Sequence, residues 1–262
     1  MHVDVDREIH ERLSGVSPGR RGLIRRAFAL LPPLRRPRIL DAGCGRGGPT
    51  VELARLGGGE VVGLDVDGPS LAALVELAGR EGLSGHVRAV RGSMTRMSFP
   101  AEAFDVVWAE ASIHAVGFEA GLEAWRRFLA PRGCLVVHEM AWLRPDPPPE
   151  LAGYWSGVRR DIHAVPEYLD LIRRGGYETL GHFSVPGEFW WTDYYVPLQS
   201  LVRELRERHG ADRGVLAALD RHQRAVEVHR AHGHWIGTVY LAMRRLPADR
   251  GNRPRSRQPD AP

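Results

Sequence analysis

The stretch that decides the fold runs Arg38-Ile39-Leu40-Asp41-Ala42-Gly43-Cys44-Gly45-Arg46-Gly47-Gly48. A short apolar run ends in a carboxylate, and glycines follow at positions 43, 45, 47 and 48. A helical pattern through Thr50-Val51-Glu52-Leu53-Ala54 comes next. The spacing GxGxxG is weak by itself, but its setting is strong: it follows a strand, opens a helix, and has an acidic residue, Asp65, about twenty residues on. Glycines let the backbone turn sharply and approach a ligand closely. A carboxylate ending the second strand accepts hydrogen bonds from ribose hydroxyls. The segment therefore predicts a strand, a ligand loop and a helix, serving a ribose-bearing cofactor.

Outward from this loop, short apolar runs alternate with longer helical patterns, the mark of a parallel sheet covered on both faces. Strands are predicted at residues 38–42, Val61-Val62-Gly63-Leu64-Asp65, His86 to Val90, Phe104-Asp105-Val106-Val107-Trp108, Cys134 to His138, Tyr177 to Val185 and Ile236 to Met243. Asp67 reads as an N-cap with Pro69 in the first turn, and Leu71, Leu74, Val75 and Ala78 fall at helical spacing. Phe118 to Leu129 is a predicted helix broken by Pro131-Arg132-Gly133, and Pro166 to Arg174 is another, stopped by Gly175-Gly176. The run Pro145 to Pro149 reads as a loop. The expected fold is α/β: a doubly wound, mostly parallel, seven-stranded Rossmann-like sheet with a helical insertion before its last strand. The expected organisation is an N-terminal helical cap over 1–37, a main domain over 38–245 and a disordered tail over 246–262. Within the main domain, residues 186–233 exceed what the core needs and are expected to cover the site, with helices near 197–209 and 212–231.

Composition narrows the class. Hydrophobic residues make up 43% of 262, enough for a sizeable core. The net charge of +4 hints at nucleic acid, but every basic residue is arginine, and the arginines lie along helical patterns beside acids, as on a solvated surface. No nucleic-acid partner is therefore expected. Cys44 and Cys134 have no CxxC spacing, which points to no zinc site or redox pair and to a reducing, cytoplasmic setting. The N-terminus lacks a signal pattern, and no apolar run approaches the ~18 residues of a membrane span.

The loop alone is open between NAD and S-adenosylmethionine. Asp41, at the tip of the first strand, suits a cationic amino-acid group and would repel a pyrophosphate. The stretch Phe104-Asp105-Val106-Val107-Trp108-Ala109-Glu110 and the succession Phe128-Leu129-Ala130-Pro131-Arg132-Gly133-Cys134-Leu135-Val136-Val137 follow in order. Together these motifs resemble the class I S-adenosylmethionine-dependent methyltransferases over about residues 38 to 140. Trp108 to His114, Gly117-Phe118-Glu119 and Trp191-Thr192-Asp193-Tyr194-Tyr195 are similar to a branch of uncharacterised bacterial small-molecule methyltransferases. The resemblance implies S-adenosylmethionine as cofactor, a small-molecule acceptor and methyl transfer by in-line displacement. The alternatives are an NAD(P)-dependent oxidoreductase, which no Ser/Tyr/Lys set supports, and an RNA-modifying methyltransferase, for which no appended module is visible. A homodimer is left open.

The resemblance assigns the cofactor to Asp41, Gly43, Gly45, Asp65, Ser93, Met94 and Ala109. Many family members carry an aspartate after the third strand; here Arg91-Gly92-Ser93-Met94 replaces it, with Ser93 able to accept a hydrogen bond and Met94 to pack on the adenine ring. Glu110 and His114, just after the fourth strand, are the candidates to orient or deprotonate the acceptor; the rival readings are a helix cap and a loop hydrogen bond. His138 and Glu139 are adjacent on a strand, so at most one enters the pocket easily. Trp191, Tyr194 and Tyr195 are the candidate acceptor wall, with Trp190 beside them. His229 and His232 share a helical face with His234 nearby, but no metal site is expected.

Overall fold

Residues 39–42, 61–65 and 104–110 alternate between two apolar faces, and the sheet they form sets everything else. A computed structural model describes residues 4–247 except 14, 16, 160, 186 and 211. The strands are β1 (Arg38–Ala42), β2 (Glu60–Asp65), β3 (Val87–Arg91), β4 (Phe104–Glu110), β5 (Leu129–Trp142), β6 (His163–Ala164), β7 (Tyr177–Val185) and β8 (Ile236–Arg245). Their order is β3-β2-β1-β4-β5-β8-β7, with the two-residue β6 beside β5. Neighbours from β3 to β5 are parallel, whereas β8 runs antiparallel to both β5 and β7. This is the expected doubly wound sheet, enlarged only by β6. The expected tail beyond Pro247 lies outside the described residues.

The helices are α1 (Val5–Leu13), α2 (Pro18–Phe28), α3 (Gly48–Gly57), α4 (Gly68–Arg80), α5 (Phe118–Trp125), α6 (Pro149–Val158), α7 (Val165–Arg174), α8 (Gly187–Trp190), α9 (Val196–His209) and α10 (Arg213–His232). Asp67 caps α4 as expected, accepting the Ser70 amide at 2.9 Å. Two expectations are corrected. The helix from Phe118 stops at Trp125, a 3₁₀ turn covers 126–128, and Leu129 already pairs with Phe104 across a register shift. Pro131-Arg132-Gly133 is therefore an irregularity inside β5, with Arg132 at φ 64°. The proline-rich run also does not stay a loop: Pro149 opens α6, since proline at a first helical position loses no hydrogen bond.

The two sheet faces bury separate cores. Leu40, Val62, Val107, Leu135 and Leu241 pack on one side under α5 and α7. Ile39, Val61, Val106, Val136 and Tyr240 pack on the other, with Ile24 and Ala27 of α2. A third cluster joins Val5 and Ile9 of α1 to Leu198, Leu201, Val202 and Leu205 of α9 and to Leu219 and Val226 of α10. The N-terminal helix and the insertion thus share one small core above the carboxyl ends of the strands. Exposed pairs such as Arg12–Glu204 (2.8 Å) and Arg208–Glu8 (3.0 Å) add little to it, as solvent-screened ion pairs do. Within the main layer, α2 is tied to α3 by Arg25 Nε, 2.6 Å from the fully buried Glu52.

The turn from β1 into α3 depends on Gly47. Its φ is 83°, and a Cβ there would lie 2.8 Å from Leu74 Cβ and nearer still to Leu74 Cδ1. Gly47→Ala is expected to destabilise the protein by roughly 2–4 kcal/mol, combining left-handed backbone strain with overpacking. Urea unfolding measures it; a loss under about 0.5 kcal/mol, the usual range of a neutral surface change, would refute this account of the loop.

Candidate active site

The carboxyl ends of β1, β2, β4 and β5 open on a cavity in two connected halves. The first, about 330 Å³, is lined by Gly43, Cys44, Gly45, Asp65, Glu110 and Ser112, among others. Gly43 fits because it has no side chain: at φ 78°, a Cβ would lie 2.6 Å from Ser112 Cβ and 2.7 Å from Met94 Cε. Asp65 holds the loop by accepting the amides of Gly45 at 2.8 Å and Asp67 at 3.0 Å. Each carboxylate oxygen keeps a further lone pair for a ligand hydroxyl.

Asp41 is the most costly residue of this half. It is fully buried, the Thr50 hydroxyl donates to Oδ2 at 2.6 Å, and Oδ1 has no hydrogen-bond partner. Burial raises its pKa to about 7; the Thr50 bond opposes this, and the charges of Glu110 and Asp65 add to it. A buried acceptor without a donor costs free energy unless a ligand supplies one. Asp41 is thus prepared for a cationic or hydrogen-bonding group.

Beyond Asp41, the register builds a row of polar side chains. Glu110 of β4 lies opposite His138 of β5, which lies opposite Tyr240 of β8. Tyr240 donates to Glu110 Oε1 at 2.6 Å and Trp108 Nε1 donates to Oε2 at 2.9 Å. His138 Nδ1 stands 2.9 Å from Glu110 Oε1, at an angle short of a hydrogen bond. Burial works against ionisation of Glu110, but His138 and the two donors together hold its pKa below the usual carboxylate value. His138 is 3% exposed, stacks on Tyr240 with ring centroids 4.1 Å apart, and places Nε2 2.8 Å from Thr238 Oγ1. Trp190 Nε1 donates to the same Thr238 oxygen at 3.1 Å.

The second half, about 420 Å³, shares His10, Arg20, Ala111, His138, Trp190 and Tyr194 with the first. Its remaining wall includes Glu139, Trp155, Arg159, Tyr195 and Thr238. Glu139 is buried and ion-paired to Arg159. Although burial opposes it, contacts from His114, Arg159 and the Met140 amide keep Glu139 below the usual carboxylate range. Arg20 lies 4.9 Å from the Trp190 ring centroid and 3.3 Å from Asp193, so it bridges α2 to the insertion.

The sequence candidates separate on this frame. Gly43, Gly45, Asp65 and Glu110 line the first half, and Asp41, fully buried, lies outside that lining. Glu110 caps no helix; its oxygens are committed to Trp108, Tyr240 and His138. Ser93 turns its hydroxyl to Thr95 at 2.7 Å, Met94 packs beside Gly43, and the cavity lining stops short of both. Ala109 is fully buried in the core, since alternate strand residues face opposite sides, and Ala111 lines the cavity instead. His114 stands 3.5 Å from Glu139, in a small side pocket.

Tyr194 and Tyr195 line the second half, and Trp190 rather than Trp191 joins them on its wall. Trp191 stacks on His229 behind the wall, with ring centroids 6.2 Å apart. His229 itself is buried against Tyr195 and bonded to the Gly187 carbonyl at 3.0 Å, and burial lowers its pKa. Among the described residues, no group of three or more His, Cys, Asp or Glu is arranged to hold a metal. Sequence reasoning missed His10 and Arg20, which nothing in the N-terminal pattern distinguishes from surface residues. It also missed Trp155, although Leu151, Tyr154, Trp155 and Val158 fall at helical spacing.

Residues 39–133 match the family described as methyltransferase domain. A sterol 24-C-methyltransferase of Gibberella zeae is 32% identical over 177 residues, covering 63% of this chain and 46% of that protein. The chain therefore spans about half the length of the curated relatives it matches. Among solved structures, a methyltransferase from Geobacter sulfurreducens in complex with S-adenosylhomocysteine aligns with TM-score 0.73 at 18% identity, covering 89% of this chain and 92% of that one. Geranyl diphosphate C-methyltransferase from Streptomyces coelicolor aligns with TM-score 0.61 at 21% identity, covering 86% and 77%. At these identities the structures establish the shared fold.

The Asp41 environment has a measurable signature. Its folded pKa, about 7, lies above the ordinary aspartate value of 3.8, so between those values the folded state keeps a proton that the unfolded state has lost. The contribution of Asp41 to stability is therefore fully present below about pH 4 and is lost as pH rises to 7. Relative to wild type, Asp41→Asn is expected to gain up to about 1.4 kcal/mol per pH unit across that window, then level off. Denaturant unfolding at several pH values tests this; a difference constant with pH would mean that Asp41 is already ionised.

Proposed function

We propose, from the premise that the chain is a class I S-adenosylmethionine-dependent methyltransferase by family and fold, that it transfers a methyl group from S-adenosylmethionine to a small-molecule acceptor. The observation that carries this reading is the buried, unpartnered Oδ1 of Asp41 beside the glycine loop. A cation at that spot would satisfy it, and the amino-acid end of the methyl donor carries an ammonium group. Asp65 would take the ribose hydroxyls, and the backbone of Gly43 to Gly45 would pass close to the ligand. A dinucleotide would instead bring a pyrophosphate toward a carboxylate.

The cofactor supplies an activated methyl group on a positively charged sulfur. What remains for the protein is to aim the acceptor and exclude water. The two halves of the cavity suit that division: they share a wall at Ala111, His138, Trp190 and Tyr194, so a nucleophile held in one half faces the ligand in the other. The acceptor half sets four large aromatic rings, Trp155, Trp190, Tyr194 and Tyr195, around the Glu139–Arg159 pair. This favours a largely apolar acceptor with one polar group. A nucleic-acid acceptor is disfavoured, because many arginines are committed to surface acids, as in Arg206–Asp220 and Arg221–Asp6. The cytoplasm is the compartment that suits this reading, with Cys44 and Cys134 free and buried.

Calorimetric titration with S-adenosylhomocysteine is expected to show binding, and Asp65→Ala to weaken it at least about tenfold, the effect of losing roughly 1.4 kcal/mol. Because Asp41 must release its proton to face a cation, affinity is expected to fall by up to about tenfold per pH unit below 7. In Asp41→Asn, binding is expected to be weak and that pH dependence absent. Tight NAD binding with none of S-adenosylhomocysteine would overturn the proposal.

A further inference from the structure

Thr238 links the acceptor half of the cavity to the buried Glu110–His138 row. Trp190 Nε1 can only donate, so it occupies one lone pair of Thr238 Oγ1. Glu110 Oε1, a carboxylate oxygen that can only accept, stands 2.9 Å from His138 Nδ1, so the neutral imidazole carries its proton there. Nε2 then has a lone pair to accept the Thr238 hydroxyl proton, 2.8 Å away. Glu110 is fixed by Tyr240 and Trp108, so it holds the imidazole in this tautomer and would stabilise an imidazolium. The second lone pair of Thr238 remains for a group in the acceptor half, which Thr238 lines.

We propose that Thr238 and His138, positioned by Glu110, form a proton relay that removes a proton from the acceptor, so that methylation falls on an O–H or N–H atom. This rests on the methyltransferase reading and specifies its substrate class. The step balances. The acceptor's lone pair forms the bond to the methyl carbon, and the carbon–sulfur pair stays with sulfur. The acceptor proton passes to Thr238 as the Thr238 proton passes to His138 Nε2. The positive charge lost from sulfur ends on the imidazolium beside Glu110. The sterol 24-C-methyltransferases among the relatives are named for transfer to carbon; a relay opening directly on the acceptor instead suits a nucleophile that arrives protonated. Glu110 on β4 and Tyr240 on β8 lie against His138, and His10 on α1, Arg20 on α2, Glu139 on β5, Arg159, Tyr194, Tyr195 and His229 line the cavity with it.

Two measurements on the full chain test the relay. Nitrogen-15 spectra of histidine-labelled protein, with His138→Gln assigning the signal, are expected to show His138 protonated on Nδ1 alone at neutral pH. A proton on Nε2, or on both nitrogens, would overturn the relay whatever the substrate. Labelled methyl donor is then offered with a panel of aryl and alkyl alcohols and amines, each paired with the alkene of the same skeleton. Transfer is expected to the alcohols or amines. Thr238→Val is expected to lower kcat roughly a hundredfold or more, the range of general-base catalysis, and to abolish the acid limb of the kcat–pH profile. Thr238→Ser is expected to restore both. S-adenosylhomocysteine affinity is expected to stay within about twofold in these variants, which separates the relay from cofactor binding. Transfer confined to alkenes, transfer to no member of the panel, or an unchanged Thr238→Val would each sink the proposal. Absence of S-adenosylhomocysteine binding to wild type would instead sink the methyltransferase reading itself.

Discussion

The space between Ser112, Met94 and Leu74 admits backbone and nothing larger, and the chain crosses it with Gly43 and Gly47 in left-handed conformations. That steric limit joins β1 to α3 and brings the loop amides to Asp65. It also leaves the end of β1 enclosed, which is why Asp41 is sealed from water with one oxygen unmatched. A wider turn would hydrate Asp41 and remove the reason for it to select a cation. The glycines therefore do more than approach a ligand: by closing the loop, they set the protonation state of the carboxylate behind it.

Two carboxyl groups, Asp41 and Glu110, are enclosed here, and their environments drive them apart. Asp41 has one donor and is pushed toward neutrality, whereas Glu110 has two donors and an adjacent imidazole and is held ionised. Asp65, partly exposed, is tied by backbone amides. A binding carboxylate and a positioning carboxylate can thus share one strand end without both repelling charge. The difference comes from the neighbours rather than depth, since both are enclosed: adjacent His138 and then the side-chain donors lower Glu110, while the single Thr50 bond leaves Asp41 raised.

Local chemistry decided how much could be read in advance. The loop, the Asp65 strand end and the alternating strands were legible because each is written within a few consecutive residues. Asp67 announced its cap for the same reason. The Glu110–His138–Tyr240 row was not legible, because it arises from register between strands whose partners lie far apart in sequence. His138 and Glu139 read as neighbours of which at most one enters the pocket easily, yet both line it. Only the antiparallel placement of β8 beside β5 shows that Thr238 and Tyr240 arrive on the same face. The choice between Trp190 and Trp191 was equally out of reach, because the π turn over Trp191–Tyr195 shifts the phase in which side chains meet the cavity.

The same distinction bears on how the acceptor half is held. The cofactor half draws mainly on the carboxyl ends of β1, β2 and β4 and their loops, whose packing lies in the main cores. The acceptor half draws on α1, α2, α6, the insertion and β8, and its outer cover is the separate small core of α1, α9 and α10. Residues of that small core can change without repacking the sheet. Thr238 and His138 instead belong to the β5–β8 ladder, where Met140 pairs with Thr238 and His138 with Tyr240, so the register of the sheet sets their places. Under the proposed relay, shape recognition of the acceptor falls to elements free to vary, and proton handling falls to the sheet. A change in the outer cover would alter which skeleton enters, and the kind of atom that receives the methyl group would stay the same.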